Sequence, residues 1–350
     1  MENQNQIKDK LYGKTLSELQ DIVGQHGFPK FTAKQIAEWL YQKSANSFEQ
    51  MTNLSKKARQ VLGDTYEIGL DAYSDRKESV DGTKKYLFQV GEHKYIETAM
   101  IPDGERITVC VSSQVGCKMN CLFCMTGKQG FQQHLTTNQI LNQLRMIDEW
   151  GAITNIVYMG MGEPMDNIDS VLKSLEIITA DWGFGMSPKR VNVSTVGVIP
   201  SLRRFLDESK CHLAISLHSP YDEERAKIMP VQKAYKIEDV LSLVKQYDFA
   251  GQRRVSFEYI VFTGLNDTPK HARAIVALLK GLQCRMNLIR FHEIPDTPLK
   301  GTDEGRLQAF KDILNEKGLL TTIRASRGED IYAACGLLST KKLVETKGEN

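Results

Sequence analysis

The spacing of apolar residues divides the chain into two regimes. Over residues 15–62 apolar positions recur at helical spacing. "TLSELQDIVGQHG" opens on a Thr with Glu three places on, a capping-box pattern, and closes on a Gly. "FTAKQIAEWLYQK" puts Ile36, Trp39 and Leu40 on one side of a second helix, and "SFEQMTNLSKKARQVL" predicts a third, with Met51, Leu54, Ala58 and Val61 at helical spacing. After residue 66 the period shortens. "KKYLFQV" and "KYIETAMIP" are strand-like runs separated by "GEH", a hairpin signal.

From about residue 105 short apolar runs alternate with amphipathic stretches. The strands expected are "ITVCVSS", "TNIVYMG", "RVNVST", "CHLAISL", "RRVSFEYIVF", "RMNLIRF" and "LTTIRAS". Helices between them include "TNQILNQLRMIDEW", "IDSVLKSLEIITA", "IEDVLSLVKQY", "PKHARAIVALLKGL" and "GRLQAFKDILNEKG". Repeated β-then-α order predicts an α/β fold with a parallel sheet and helical crossovers, open or closed into a barrel. Ligand chemistry in such folds belongs at the C-terminal ends of the strands. The division expected is a helical module over 1–65, a β-rich linker over 66–104 and an α/β domain over 105–350.

Composition adds limits more than content. With 350 residues, 41% hydrophobic and 25% charged, the chain has material for a sizeable core. No apolar run approaches the roughly 18 residues of a membrane span. The polar start "MENQNQIKDKLYGK" has no secretory h-region, so the expected compartment is the cytoplasm. Thiols there stay reduced, and the seven cysteines then read as metal ligands, catalytic thiols or buried apolar residues. The net charge of +2 is uninformative, but residues 24–62 carry Lys30, Lys34, Lys43, Lys56, Lys57 and Arg59 against Glu38 and Glu49. That excess can contact phosphates or simply solvate a helical face.

Cysteine spacing sharpens the picture. Cys117, Cys121 and Cys124 form C-x3-C-x2-C in the loop after the first strand of the α/β region. Thiolates suit zinc or iron–sulfur clusters, and both structural zinc and an ordinary cubane take four ligands. Three close thiolates leave one iron open to a substrate or cofactor. Cys110 lies inside the strand, seven residues upstream of Cys117, and is poorly placed to be the fourth.

The spacing, with Phe123 before the third Cys, resembles the signature of the radical S-adenosylmethionine (SAM) superfamily. The resemblance implies a partial (β/α)6-type barrel, and one 4Fe–4S cluster whose open iron is chelated by SAM and whose electron cleaves SAM to a 5′-deoxyadenosyl radical. It also implies SAM contacts at Gly162 and Glu163 in "YMGMGEPMDN", at Ser194 in "VNVSTVGVIP", and at Ser216, Leu217 and His218 in "ISLHSP". By its residue type alone, His218 reads equally as a core histidine. His292, in "MNLIRFHEIPDTP", stands where the family places an Asn that contacts SAM.

"RGEDIYAACG", "CVSSQVGC" and "SLHSPYDEER", together with the helical module, are similar to the RlmN/Cfr family of adenine methyltransferases. Carbon 2 of adenine is electron-poor and cannot attack the methyl group of SAM. The resemblance implies that a methyl first moves from one SAM to a cysteine, here Cys335. A second SAM yields the radical that turns the S-methyl into a methylene radical, which adds to the base and leaves a covalent protein–RNA adduct. It implies that Cys110 releases the product by closing a transient disulfide onto Cys335, and that Glu97 accepts the proton. Without the resemblance, Cys335 reads as a small buried residue and Glu97 as an exposed strand residue. The partners implied are 23S rRNA at the peptidyl-transferase centre, tRNA at the adenosine 3′ to the anticodon, and a flavodoxin- or ferredoxin-type electron donor, with the enzyme a monomer. A methyltransferase of carbon 8 of the same rRNA adenosine, a peptide-modifying radical enzyme and a non-catalytic metal-binding RNA protein are the alternatives.

Overall fold

The computed structural model describes residues 8–251 and 253–340. Strand β1 (Asp9–Lys10) leads into α1 (Leu16–Gln25), whose capping box forms as the sequence predicts: Glu18 N–H donates to Thr15 Oγ1 and Thr15 N–H donates to Glu18 Oε2. Helix α2 (Phe31–Ala37) continues into a π-helical turn at Glu38–Gln42, burying Ile36 and Leu40 while Trp39 stays half-buried. The third helix is shorter than the apolar spacing predicts. Phe48–Gln50 is a single 3-10 turn, and α3 (Lys56–Thr65) starts afresh because Ser55 Oγ accepts the Ala58 N–H. Met51 and Leu54 are buried in the irregular link, and Leu62 is buried where Val61 was expected. Strand β2 (Tyr66–Glu67) pairs in parallel with β1 and closes the module.

Strands β3 (Asp75–Glu78), β4 (Lys84–Gly91), β5 (Lys94–Asp103) and β6 (Arg106–Cys110) form an antiparallel ladder, with β4 and β5 joined by the expected hairpin. The small ribbon of β7 (Gln114–Val115) and β8 (Gln133–His134), with α4 (Met125–Gln129) between them and α5 (Thr137–Arg145) after, fills the crossover to β9 (Asn155–Tyr158). Then come α6 (Ile168–Thr179), β10 (Val191–Thr195), α7 (Ile199–Glu208), β11 (His212–Ser216), α8 (Asp222–Ile228), α9 (Ile237–Val244), β12 (Val255–Val261), α10 (Pro269–Leu278), β13 (Cys284–Arg290), α11 (Glu304–Glu316) and β14 (Thr321–Ile323).

One ten-stranded sheet runs β14-β13-β12-β11-β10-β9-β6-β5-β4-β3. From β6 to β14 every neighbouring pair is parallel, and the strands so joined are those the sequence predicted. The sheet stays open, yet a single cleft is lined by residues from β6 round to β14, so the parallel part curls into a partial barrel.

Side-chain alternation explains how the sheet serves a core and a cleft at once. On β10, Val191 and Val193 are fully buried against the crossover helices, while Asn192 and Ser194 are only half-buried on the opposite face. Leu213 and Ile215 on β11, Phe257 and Tyr259 on β12, and Met286 and Leu288 on β13 join that core; burying each such side chain contributes roughly 1.5–3 kcal/mol.

Helix α5 ties the N-terminal module to this sheet. Asn138 Nδ2 donates to Tyr12 O (3.0 Å) and Gly69 O (2.7 Å), and Asn142 brackets the backbone of Asp71 from both sides. Gly13 (φ +95°) permits the approach, since a Cβ there would lie 2.7 Å from Asn138 N. Asn138→Ala would leave two carbonyls without a donor. Urea unfolding is expected to show a loss of about 3 kcal/mol with an unchanged far-ultraviolet circular dichroism spectrum.

Candidate active site

The cleft has a volume of about 660 Å³. Its floor follows from strand register. Cys110, the last residue of β6, pairs with Ala99 of β5 and Val157 of β9; Val157 pairs with Asn192, and Asn192 with His212. Paired residues share a face, so these side chains form one row across the sheet. Ser194 lies two residues further along β10 and Ser216 four further along β11, on the same face and nearer the C-terminal rim. Glu97 shares the face of Ala99 on β5.

The three clustered cysteines sit in the loop between β7 and α4, held from both sides. Leu122 N–H donates to Ile228 O at the end of α8 (2.9 Å), and Met125 N–H to Gly336 O in the C-terminal segment (2.8 Å). Gly116 (φ +70°) is required at the loop's entry, because a Cβ would meet Gly130 O at 1.6 Å. Burial pushes the Cys117 thiol up to about 12 and raises Cys121 and Cys124; at Cys121 the neighbouring thiols Cys124 and Cys117 add to the effect. Three buried soft donors that repel one another as thiolates form a donor set that asks for positive charge. No three Cys, His, Asp or Glu side chains among the described residues converge on a single ion. A cubane needs no such convergence, since each thiolate binds its own iron, and the donor set fits that group. Met119 and Met125, beside the ligand positions, are half-buried over it.

The Gly162-Glu163-Pro164 turn is pressed against the strand β7 region. Gly162 has φ +101°, and a Cβ there would stand 2.6 Å from Gln114 Cβ. Glu163 N–H donates to Gln114 Oε1. The Glu163 side chain turns inward and accepts from Met165 N–H (3.0 Å) and Val196 N–H (3.0 Å), with its carboxyl pushed up to about 7 by burial. It therefore fastens the rim of β9 to that of β10.

His218 follows β11 at φ +56° and is 3% exposed. Its Nδ1 accepts from Ile260 N–H (3.0 Å), which leaves the ring proton on Nε2, and its ring meets Phe123 edge-on at 4.7 Å. Burial, reinforced by Arg225, pulls it down to about 3, so the imidazole is neutral. Leu217 is fully buried, its N–H donating to Glu258 O and its carbonyl accepting from Arg225 Nε. His292 lies past β13, half-buried on the cleft wall, with Nε2 3.1 Å from Ser326 Oγ.

The last two thiols share the cleft with Cys124. Cys335 is exposed, on a loop after β14, and is not the buried core residue its Ala-Ala-Cys-Gly context suggests. Cys110 is buried and pushed up to about 12, by burial first and then by Cys335. Arg324, which sequence reasoning missed, faces both: its charge is felt by Cys335, Glu258 and Cys110, and its Nη1 lies 3.4 Å from Glu258 Oε2. Glu97 is 6% exposed and so is no surface strand residue. It pairs with Lys85 Nζ at 2.9 Å and accepts from Ser339 N–H at 3.0 Å, which joins it to the segment carrying Cys335. Arg225, also missed, is entirely buried behind Ser216. Neither arginine had a signal in the sequence, Arg225 because it lies in the charged stretch "DEERAK".

Comparison with known proteins settles the class. The radical SAM superfamily pattern matches residues 111–275, and that of the ribosomal RNA large subunit methyltransferase N-terminal domain matches residues 10–68. The chain is 56% identical over 339 residues to the probable dual-specificity RNA methyltransferase RlmN of Bacteroides fragilis, covering 97% of this chain and 98% of that protein. The chain belongs to the RlmN family of radical SAM RNA methyltransferases. The dual-specificity RNA methyltransferase RlmN of Syntrophus aciditrophicus is 42% identical, over 95% of this chain and 96% of that one. A crystal structure of a radical SAM methyltransferase from Sphaerobacter thermophilus superposes with a TM-score of 0.87 at 35% identity, covering 94% of this chain and 99% of that one. The superfamily match begins directly after Cys110 and ends well before Cys335, so both thiols lie outside the matched segment. No helix among the described residues is long and apolar enough to cross a membrane.

Burial raises the Glu97 carboxyl and Lys85 holds it down, burial being the larger effect. A raised folded-state value means that the native state disfavours the ionised form, so stability is lost as pH rises through that value. Lys85→Met removes the opposing charge. The variant is expected to unfold at nearly the wild-type urea midpoint at about pH 4, where Glu97 is protonated, and to fall behind by about 3 kcal/mol at about pH 8.

Proposed function

We propose that this enzyme methylates carbon 2 of an adenosine at the peptidyl-transferase centre of 23S rRNA and of the adenosine 3′ to the anticodon in tRNAs. The observation that carries this reading is the meeting of Cys335, Cys110 and the cluster-loop residue Cys124 around one cleft, in a chain alike over nearly its whole length to dual-specificity RlmN proteins. Cys117, Cys121 and Cys124 would hold a 4Fe–4S cluster, with SAM bound along Gly162, Glu163, Ser194, Ser216, Leu217, His218 and His292. Together these groups supply one-electron cleavage of SAM when bound.

The chain's own residues then divide the work. Cys335, on an exposed loop, carries the methyl group between its source and the base. Carbon–carbon bond formation leaves the base bonded to Cys335 through that methylene, and Glu97 takes the proton that the ring carbon must shed. Cys110, as the thiolate, attacks the Cys335 sulfur: the S–S bond forms as the S–C bond breaks, the electron pair of that bond leaves on the methylene carbon, and the carbon takes up one proton so that the RNA departs carrying a methyl group. Arg324 favours the thiolate form of Cys110, which burial opposes. Lysines and Arg59 of the N-terminal module, Lys30, Lys34, Lys56, Lys57 among them, offer phosphate contacts, and the target base must leave its stack to reach the cleft. The enzyme works as a monomer in the cytoplasm with a flavodoxin- or ferredoxin-type reductant.

Nucleoside mass spectrometry of rRNA and tRNA from cells with and without the gene tests the substrate. Loss of 2-methyladenosine from both pools on deletion is expected; 8-methyladenosine in its place would move the reaction to the other carbon. In purified protein, Cys335→Ala is expected to abolish methylation with iron content unchanged. Cys110→Ala is expected to purify with RNA covalently attached, seen as a nuclease-sensitive shift on a denaturing gel; free protein that still turns over would defeat the assignment.

A further inference from the structure

The largest fully buried side chain of the protein is a cation. Arg225, on α8, has no exposed surface. Its Nε donates to Leu217 O (3.1 Å), Nη2 to Val196 O (2.9 Å) and Ser216 O (3.0 Å), and Nη1 to Gln232 Oε1 (2.5 Å). All four acceptors are neutral, and no carboxylate among the described residues pairs with it directly. Asp222 is reached only through Gln232, whose Nε2 donates to Asp222 Oδ1. An uncompensated buried charge costs several kcal/mol, so a fold that keeps one has a use for the charge.

Position indicates the use. The carbonyls that Arg225 binds lie just past β10 and at the end of β11, beneath the strand ends where Ser194 and Ser216 stand. Its helix is bonded to the cysteine loop through Leu122 N–H and Ile228 O, and Ile228 packs in one apolar cluster with Cys121 and Phe123. With four of its five N–H bonds occupied and no surface open to the cleft, Arg225 cannot bind a ligand itself; it acts through its field.

We propose that Arg225 is an electrostatic positioning residue for the iron–sulfur site, a buried counter-charge that makes the bound cluster easier to reduce. The inference rests on the cluster reading of Cys117, Cys121 and Cys124. Three thiolates give a cubane net negative charge, and the electron that reduces it adds one more. A fixed positive charge beside Cys121 stabilises the reduced state more than the oxidised one and raises the reduction potential.

The test uses anaerobically reconstituted, full-length enzyme, titrated with dithionite and redox mediators and followed by electron paramagnetic resonance of the reduced cluster. Arg225→Met removes the charge. Gln232→Glu neutralises it in place, leaving the acceptor oxygens of Arg225 present, and so keeps the test alive if Arg225→Met does not fold. Arg225→Lys keeps the charge and loses most of the hydrogen bonds. Expected is a fall of at least tenfold in the reduction equilibrium for Arg225→Met and Gln232→Glu, about 59 mV for a one-electron couple, with Arg225→Lys close to wild type. Unchanged potentials in Gln232→Glu, or an equal fall in Arg225→Lys, overturn the proposal and leave Arg225 as a clamp on two strand ends, read as lowered thermal stability alone. Iron content separates the two claims: a wild-type protein that binds no iron defeats the cluster reading, whereas iron-replete variants with the wild-type potential defeat only the role of Arg225.

Discussion

The docking of the C-terminal segment onto the cysteine loop is the contact on which the site depends. Gly336 O accepts from Met125 N–H, Leu338 O from Thr126 Oγ1, and Thr340 N–H donates to Gln129 Oε1. Ser339 N–H donates to Glu97 across the same seam. Without these bonds Cys335 would hang on a loop more than two hundred residues from Cys110 in sequence. With them an exposed thiol and a buried thiol line one cleft, and a buried carboxyl is bonded to the segment that carries the first. The α4 helix that accepts this segment starts directly after Cys124, so whatever fixes the cysteine loop also fixes the place of Cys335.

Charge is unusually deep around this site. Glu163 ties two strand ends through backbone N–H groups, Glu97 is matched by Lys85, Arg324 by Glu258, and Arg225 by carbonyl oxygens. Each is expensive to bury alone and each is satisfied by a partner on a different strand or loop. The polar groups therefore act as cross-links among strand ends.

The parallel sheet supplies the frame. Its strands give one face to the crossover helices and the other to the cleft, so residues two apart on a strand differ only in their height within the site. Cys110, Asn192 and Ser194 owe their common orientation to that period. The antiparallel β3–β6 ladder extends the same sheet and brings Glu97, on β5, to the C-terminal segment that carries Cys335.

The sequence by itself determined the local elements and the grouping of three thiols. Apolar spacing is a property of neighbouring residues, so the seven parallel strands, the capping box at Thr15 and the hairpin at residues 91–94 were legible, as was C-x3-C-x2-C, whose cysteines lie within one loop. The break before Ser55 was not, because a cap competing with continued helix is decided by packing of Met51 and Leu54. For Cys335 the residues alone pointed the wrong way, to a buried thiol, and for Glu97 they left an exposed strand acid and a general base equally open; only similarity to a family favoured one. Burial of a single side chain is set by what folds over it from elsewhere. Arg225 and Arg324 lay wholly beyond sequence reasoning for the same reason: their acceptors come from strand ends, loops and thiols that meet only when the sheet has curled.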